Sequence, residues 1–320
     1  MRILVTGANG FVGTALCERL SESGHSVIEA RRVAGPDVHS GGRNRDFSVI
    51  GDIGAKPPWD LVLPGVDVVV HLAALVHQMG EPPSLEAYRR VNVEGTVQLA
   101  NAAVRHGVRR IVFLSSIKVN GEMTPGASYT ERDAPLPGDA YGVSKQEAEA
   151  ALTELGREGK IETVLVRPPL VYGPGVRANF LRLMATVQRM NPVIVPRFTG
   201  RRSMIALANL VDLLAVCASH PKAANELFLT SDNEDITVSD LILRLARIMN
   251  RKALSVPVPQ PLLRALAKAL GKEPEIRRLM DPLTVSPEKA MRVLGWVPPV
   301  DVNAGLAFTV DWYRRSVRNP

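Results

Sequence analysis

RILVTGANGFVG, residues 2–13, runs an apolar, strand-like segment straight into three glycines, Gly7, Gly10 and Gly13, spaced GxxGxxG. A helix-like segment follows, GTALCERLSESG (13–24), with Ala15, Leu16 and Leu20 on one side. Strand, glycine turn and helix in that order form the context that dinucleotide binding requires. Glycines allow a tight turn and close backbone approach, and the helix N-terminus offers free N–H groups to a pyrophosphate. An ordinary strand–helix turn rarely needs three glycines so spaced.

Working outward, the same alternation continues. HSVIEA (25–30), VDVVVHLAA (66–74), RIVFLSS (110–116) and TVLVRP (163–168) read as strands, and VNVEGTVQLANAAVRHG (91–107) and the segment from 140 to about 158 read as helices. Apolar strands separated by helices predict an α/β fold, a Rossmann-type doubly wound parallel sheet with helices on both faces. After Pro168 prolines and glycines cluster, as in PPLVYGPG, VPVPQP and WVPP. The expected organisation is a dinucleotide-binding domain over 1–168, to which 205–231 returns as a helix and strand. A smaller substrate lobe is expected from 169–204 and 232–320, its C-terminal part built of short helices and turns.

Composition narrows the classes. The 320-residue chain is 46% apolar and 22% charged, as ordinary globular proteins are. It has no apolar run of bilayer length, and Met1 leads almost directly into RILVTG, so neither a membrane span nor a secretory leader is expected. Cys17 and Cys217 are far apart and lack metal-ligand spacing, which fits buried thiols in a cytoplasmic protein without a metal. The net charge is +7, but Lys and Arg are scattered and no nucleic-acid motif occurs. A small anionic substrate drawn in by the field fits better.

DAYGVSKQEAE (139–149) sets Tyr141 four residues before Lys145, on one face of a polar helix. Alone this pair is ordinary helix surface. In order along the chain, however, TGANGFVG (6–13), HLAA (71–74), NVEGT (92–96), SSIKVNG (115–121), YGVSK (141–145) and RPPLVYGPG (167–175) resemble the extended short-chain dehydrogenase/reductases. Within them the chain is most similar to nucleotide-sugar epimerases and reductases. RRSMIALANLVDLL (201–214) and LGWVPP (294–299) resemble the family's later signatures, so the likeness runs nearly end to end.

The resemblance implies that Tyr141 transfers a proton, with Lys145 as its partner and Ser116 hydrogen-bonded to the sugar oxygen that becomes a carbonyl; Ser115 competes for the last role. A phenol has a pKa of about 10, and lowering it to about 7 takes roughly 4 kcal/mol of preference for the phenolate. One cation about 4 Å away at an effective dielectric of about 20 supplies that much. Family members that dehydrate sugars carry an Asp-Glu pair just after the serine or threonine. Ile117 and Lys118 stand there instead, which argues against 4,6-dehydration and decarboxylation. Lys118 is expected either as a solvated cation or as a group polarising the substrate carbonyl.

Cofactor contacts are implied at Gly7, Asn9, Gly10, Phe11, Val12 and Gly13, at Leu72, Ala73 and Ala74, and at Asn92, Tyr141, Lys145 and Pro168. Asp52 and Ile53 are expected to flank the adenine. Where NAD-dependent relatives end the second strand in aspartate, this chain reads EARR; Arg31 and Arg32 would pair with a 2′-phosphate, with Glu29 pointing to the other side of the strand. NADP(H) is therefore favoured over NAD. Arg202, Asn179, Lys118, Ser116 and Arg278 or Arg277 are the implied substrate contacts, while Leu170 replaces a family asparagine. The reading favours a UDP-4-keto-(N-acetyl)hexosamine reductase of surface polysaccharide synthesis, with a UDP-hexose 4-epimerase holding NAD as the alternative. A non-catalytic NAD(P)-binding sensor is the alternative of another class, and a homodimer is expected from the resemblance alone.

Overall fold

The computed structural model describes residues 1–33, 44–76, 83–124, 126–258 and 280–318. Seven strands form one parallel sheet: β1 (Arg2–Thr6), β2 (Ser26–Arg31), β3 (Arg45–Val49), β4 (Val68–His71), β5 (Arg110–Leu114), β6 (Glu162–Arg167) and β11 (Glu226–Leu229), in the spatial order β3-β2-β1-β4-β5-β6-β11. The order reverses between β1 and β4, both of which pair with neighbours in parallel register. In such sheets ligands bind outside the carboxyl ends of the strands at that reversal.

The sheet is buried on both faces, and its sequence alternates accordingly. Ile3, Val5, Val68, Val70, Val112, Val164 and Val166 pack on one side against α1 (Phe11–Glu22) and α7 (Leu207–Ser219). Leu4, Val69, Ile111, Phe113 and Leu165 face the other side, where α4 (Gly95–Arg105) and α5 (Ala140–Arg157) contribute Leu99, Ala148 and Leu152. Between them lie the short helices α2 (Trp59–Val62) and α3 (Leu85–Tyr88), and α3 runs into a π-helical turn, Arg89–Glu94. The helix and strand expected to return to the sheet are α7 and β11, whose Leu227 and Phe228 pair with Leu165 and Val166. Arg110 fixes the return. Its buried guanidinium donates to the Cys217 and His220 carbonyl oxygens at 2.8 and 2.9 Å and to Glu162 at 2.7 Å, a cation at the C-terminus of α7.

The rest of the chain builds small two-stranded sheets: β7 (Leu170–Tyr172) with β10 (Met204–Ala206), β9 (Arg201–Arg202) with β12 (Ile236–Thr237), and β8 (Val193–Pro196) with β13 (Ala253–Val256). Helices α6 (Ala178–Arg189), α8 (Val238–Ile248) and α9 (Glu288–Leu294) accompany them. Tyr172 and Asp232 join this part to the sheet: the phenol donates to Asp232 Oδ2 at 2.7 Å, and Asp232 Oδ1 accepts from Ala206 N and Asn209 Nδ2. The expectation of only short C-terminal helices is corrected by α10, which runs over Val302–Arg318. Its Val302, Leu306, Val310 and Tyr313 recur at helical spacing and are buried, a stripe that the surrounding prolines obscure in the sequence. Leu306→Ala should lower unfolding free energy by about 2–5 kcal/mol, measured by urea denaturation, because Leu306 is wholly buried within that lobe's core.

Candidate active site

The glycine turn is pressed against the end of β4. Gly7 has φ +66°, and a Cβ there would lie 2.9 Å from Ala73 N. A Cβ on Gly13 would fall 2.1 Å from the Gly7 carbonyl oxygen, so helix α1 can start where it does only with glycine at 13. Thr6 Oγ1 accepts from Leu72 N and Ala73 N, at 3.2 and 3.1 Å, and meets His71 Nδ1 at 2.6 Å. On the far side of the ring His71 Nε2 meets Thr96 Oγ1 at 2.9 Å, and that hydroxyl donates to Asn92 O. These partners fit a neutral imidazole carrying its proton on Nε2. Burial, aided by the Lys145 charge, pushes the ring down to about 3, so it stays neutral.

Gly10 differs from its two neighbours. It is the N-cap of α1, its side makes no cap bond, and a Cβ there would meet only Gly7 O, at 3.1 Å. That contact is tight but far looser than the one at Gly13, and a helix start without a side chain suits a close-lying pyrophosphate. Asn9 is exposed beside it, and Phe11 and Val12 form the first turn of α1. A cavity of about 530 Å³ borders the outer side of the turn, lined by Asn9, Gly10 and Phe11 and by Pro174, Gly175 and Arg177. The residues therefore fit a bound dinucleotide on the turn.

At the end of β2 the arrangement departs from expectation. Glu29 and Arg31 share one face of the strand, two residues apart, so Glu29 does not point away. Arg31 Nε and Nη2 donate to Glu29 Oε2 at 3.1 and 2.8 Å, and Arg45 grips Oε1, its Nε at 2.9 Å. The Arg31 guanidinium also lies 4.6 Å from the centroid of Phe47. Burial alone would raise the Glu29 carboxyl, but hydrogen bonds from Arg31 and Arg45 outweigh it and hold it below the usual range. Arg32 is exposed. Asp52, also exposed, accepts from Gly54 N at 2.9 Å, while Ile53 is buried in the core beneath α4. Ala74 is half-buried after β4. Asn92 is held by protein on all sides: Oδ1 accepts from Leu75 N at 2.7 Å, and Nδ2 donates to Leu75 O and Ser144 Oγ. It fastens the segment after β4 to α5. Pro168 O accepts from Ile117 N at 3.0 Å.

Ser116, Tyr141 and Lys145 are brought together where β5 meets the start of α5. Tyr141 is half-buried, with the Ser116 side chain acting on its hydroxyl, and its ring lies edge-on to Tyr88 with centroids 6.0 Å apart. Ser115 instead is turned into the interior, where its Oγ meets no partner. Burial pushes the phenol up, the Asp139 and Tyr88 charges add to that, and the Ser116 bond pulls the other way. Lys145 does not sit as the simple picture of an ammonium beside a phenol requires. Its Nζ donates to Leu114 O at 2.7 Å and lies 4.1 Å over the Phe113 ring, and burial pushes the amine down to about 7 against the opposing pull of Glu149. Glu149 is itself paired with buried Arg167, which also reaches Asn120 Oδ1 at 2.9 Å.

Of the expected substrate contacts, Asn179 is exposed in the first turn of α6. Arg202 lies in β9 and donates to Asp281 O at 2.9 Å. Leu170 is 52% exposed at the asparagine's place. Lys118 donates to Glu122 and Asp139. Arg277 and Arg278 lie outside the described residues. Sequence reading passed over Asp139, Glu149 and Arg167; the first could have been found as an N-cap ahead of a helix, the others only by seeing the pair close. Gly10→Ala should unfold within about 0.5 kcal/mol of the parent yet lose the thermal shift that added dinucleotide produces. Gly13→Ala should lose about 1–3 kcal/mol of stability without any ligand, measured in the same melting series.

Comparison with known proteins places this geometry. Residues 3–229 match the NAD dependent epimerase/dehydratase family. A UDP-glucose 4-epimerase of Vibrio cholerae is 40% identical over 322 residues, covering 98% of this chain and 96% of its own. An N-acetyl-alpha-D-glucosaminyl-diphospho-ditrans,octacis-undecaprenol 4-epimerase of Escherichia coli O157:H7 is 29% identical, covering 81% and 76%. Among solved structures, MoeE5 in complex with UDP-glucose and NAD aligns with a TM-score of 0.77 and 27% identity over 99% of this chain and 100% of that one. No helix among the described residues is long and apolar enough to cross a membrane. The glycine turn, the reversal of strand order and the matched 3–229 span make this chain an enzyme of the NAD-dependent epimerase/dehydratase family.

Proposed function

We propose that the chain is a nucleotide-sugar 4-epimerase acting on a UDP-hexose or its N-acetylated counterpart, with NAD held through the reaction. The observation that carries this reading is Tyr141 at the start of α5, set against the Ser116 side chain at the carboxyl edge of the sheet, on a fold whose glycine turn fits a dinucleotide. Bound there, the nicotinamide supplies reversible two-electron oxidation at a carbinol carbon. Tyr141 takes the proton of the sugar's C4 hydroxyl and later gives it back, and Ser116 holds the same oxygen. Lys145, one turn on in α5, donates to Leu114 O at the end of β5 and holds the strand end against the helix that bears Tyr141. Ile117 and Lys118 leave no acid–base carboxylate pair in the turn after Ser116, so loss of water finds no proton carrier at those two places.

The structure also shifts the balance between the two reactions considered. The reductase reading leaned on Arg31 as a partner for a 2′-phosphate. Arg31 is instead bound through two nitrogens to Glu29 and stacked on Phe47, and a phosphate would have to compete with that buried carboxylate. The 40%-identical V. cholerae relative, a UDP-glucose 4-epimerase, supports the same direction. One observation keeps a 4-keto reductase using NADP(H) as the second reading: the Glu29, Arg31 and Arg45 cluster carries an excess positive charge, and Arg32 beside it is exposed.

The purified protein should interconvert UDP-glucose with UDP-galactose, or UDP-GlcNAc with UDP-GalNAc, without net consumption of added cofactor. Stoichiometric loss of NADPH absorbance on a UDP-4-keto sugar, with no epimerisation, would replace this reading by the reductase. Tyr141→Phe should reduce kcat by about 10²–10⁴-fold with little change in KM, followed by product chromatography. NAD should raise the melting temperature at lower concentration than NADP does.

A further inference from the structure

Lys118 stands two residues after Ser116, in the single 3-10 turn Ile117–Val119 that follows β5. Its Nζ reaches two carboxylates, Glu122 at 2.8 Å and Asp139. Asp139 is the N-cap of α5: one oxygen, Oδ1, accepts from Gly142 N at 2.7 Å, while the other, Oδ2, takes the lysine. The backbones meet as closely as the side chains. A Cβ on Gly142 would lie 2.7 Å from Lys118 O and 3.0 Å from Pro137 Cβ. Ser116 Oγ accepts from Lys118 N at 3.2 Å and acts on the Tyr141 hydroxyl. The turn after β5 and the first turn of α5 are therefore tied by the Lys118 ammonium and packed together at the Lys118 carbonyl.

We propose that Lys118 is a positioning residue whose ammonium holds the Asp139 carboxylate in its capping place and shields the Tyr141 hydroxyl from that carboxylate's charge. The proposal rests on the reading of Tyr141 as the proton-transferring group. It differs from both sequence expectations for Lys118, since the ammonium is neither simply solvated nor directed at a substrate with its donors free. Among the described residues the charged and titratable groups around the phenol are few. Asp139 and Lys145 come from its own helix, and Tyr88 comes from α3. Ser116 comes from the turn after β5, with Lys118 and Glu122 behind it. Arg89 in the π-helical turn is paired with Glu147, and Arg167 in β6 with Glu149. Burial is the largest cause of the raised phenol and the Asp139 charge the next. Lys118 opposes Asp139 at the neighbouring Tyr88, where the two act with opposite signs. Removing the ammonium takes away the cation that these two carboxylates share, so the phenol should titrate at higher pH. Replacing Asp139 by Asn keeps a good cap and removes the charge, so the phenol should titrate at lower pH.

The test is a cycle of Lys118→Met, Asp139→Asn and the double variant in the NAD-loaded protein, with Lys118→Arg as the conservative control. Two readouts are used: the pH profile of turnover, and phenolate absorbance against pH, taken as the difference between each protein and its Tyr141→Phe counterpart. Lys118→Met should move the acid limb up by about half to one pH unit, losing about 3–10-fold in turnover on that limb and converging on the parent at high pH. Asp139→Asn should move it down, the double variant should stay close to Asp139→Asn, and Lys118→Arg should leave it in place. A uniform loss at every pH, or a Lys118→Met shift that persists undiminished beside Asp139→Asn, would overturn the proposal. The absorbance titration separates this outcome from failure of the epimerase reading, because it follows the phenol whether or not any sugar is turned over.

Discussion

The carbonyl oxygen of Lys118 is the seat on which the first turn of α5 rests, and glycine at 142 is what lets the helix come so close. A Cβ at that position would fall 2.7 Å from the Lys118 carbonyl oxygen, too close for the helix to stay where it is. Tyr141 immediately precedes that glycine, so its reach to Ser116 is decided by a backbone contact and not by its own side chain. Asp139 closes the helix end below it, and Asn92 ties the next turn through Ser144. Further along, Glu149 meets Arg167 at the end of β6, both almost completely buried. Burying two ions costs desolvation that their attraction only partly offsets, so this pair adds less to stability than to register. It fixes which turn of α5 faces the carboxyl ends of β5 and β6.

Electrostatics at the site follow from that packing. The same exclusion of water pushes the Tyr141 phenol up and the Lys145 amine down to about 7. Both shifts favour the neutral form, and each is a response to missing solvent more than to a specific partner. In such surroundings a single added charge acts strongly, because the effective dielectric is low. The proton on Tyr141 is thus poised to respond to whatever cation comes to lie beside it, and the lysine contributes by being able to carry charge near neutral pH. His71 takes no part in this balance. Held between two threonine hydroxyls and pushed down to about 3, it works as a spacer between β1, β4 and α4.

Most of the frame was legible because it depends on periodicity. Ile3 and Val5 alternate with Leu4, and Val68 and Val70 with Val69, and each set falls on the side of the sheet that the pattern requires. Gly7 and Gly13 could be read as turn glycines from spacing alone, although only the contacts with Ala73 and with the Gly7 carbonyl show that packing, and not a ligand, demands them. What could not be read were relations between side chains distant in sequence. Glu29 and Arg31 share a strand face by simple alternation, yet their pairing depends on Arg45 arriving from β3. Helix α10 was missed for a different reason: its stripe of Val302, Leu306, Val310 and Tyr313 follows a proline-rich stretch and begins without an acidic first turn. Lys118 was visible as an oddity, but its two carboxylate partners lie 4 and 21 residues away and converge only once α5 is docked.

The residues that distinguish this chain within its fold are therefore charged groups around the site, not the proton carriers themselves. Glu29 turns Arg31 from a free fork into half of a buried ion pair, and that changes what the end of β2 can recognise. Lys118, placed where a dehydrating enzyme would keep an acid, is drawn into the cap of α5 and cannot deliver or remove a proton at low cost while two carboxylates hold it. Burial would lower its pKa, but the bonds to Asp139 and Glu122 outweigh that and raise it, which keeps the ammonium charged through the neutral range. An ammonium so held is a fixed charge beside the helix that bears Tyr141, and on the role proposed for it above it acts on the phenol without entering the reaction. Under the epimerase reading proposed above, a hydroxyl proton only moves out and back, and that chemistry needs no second acid where Lys118 stands.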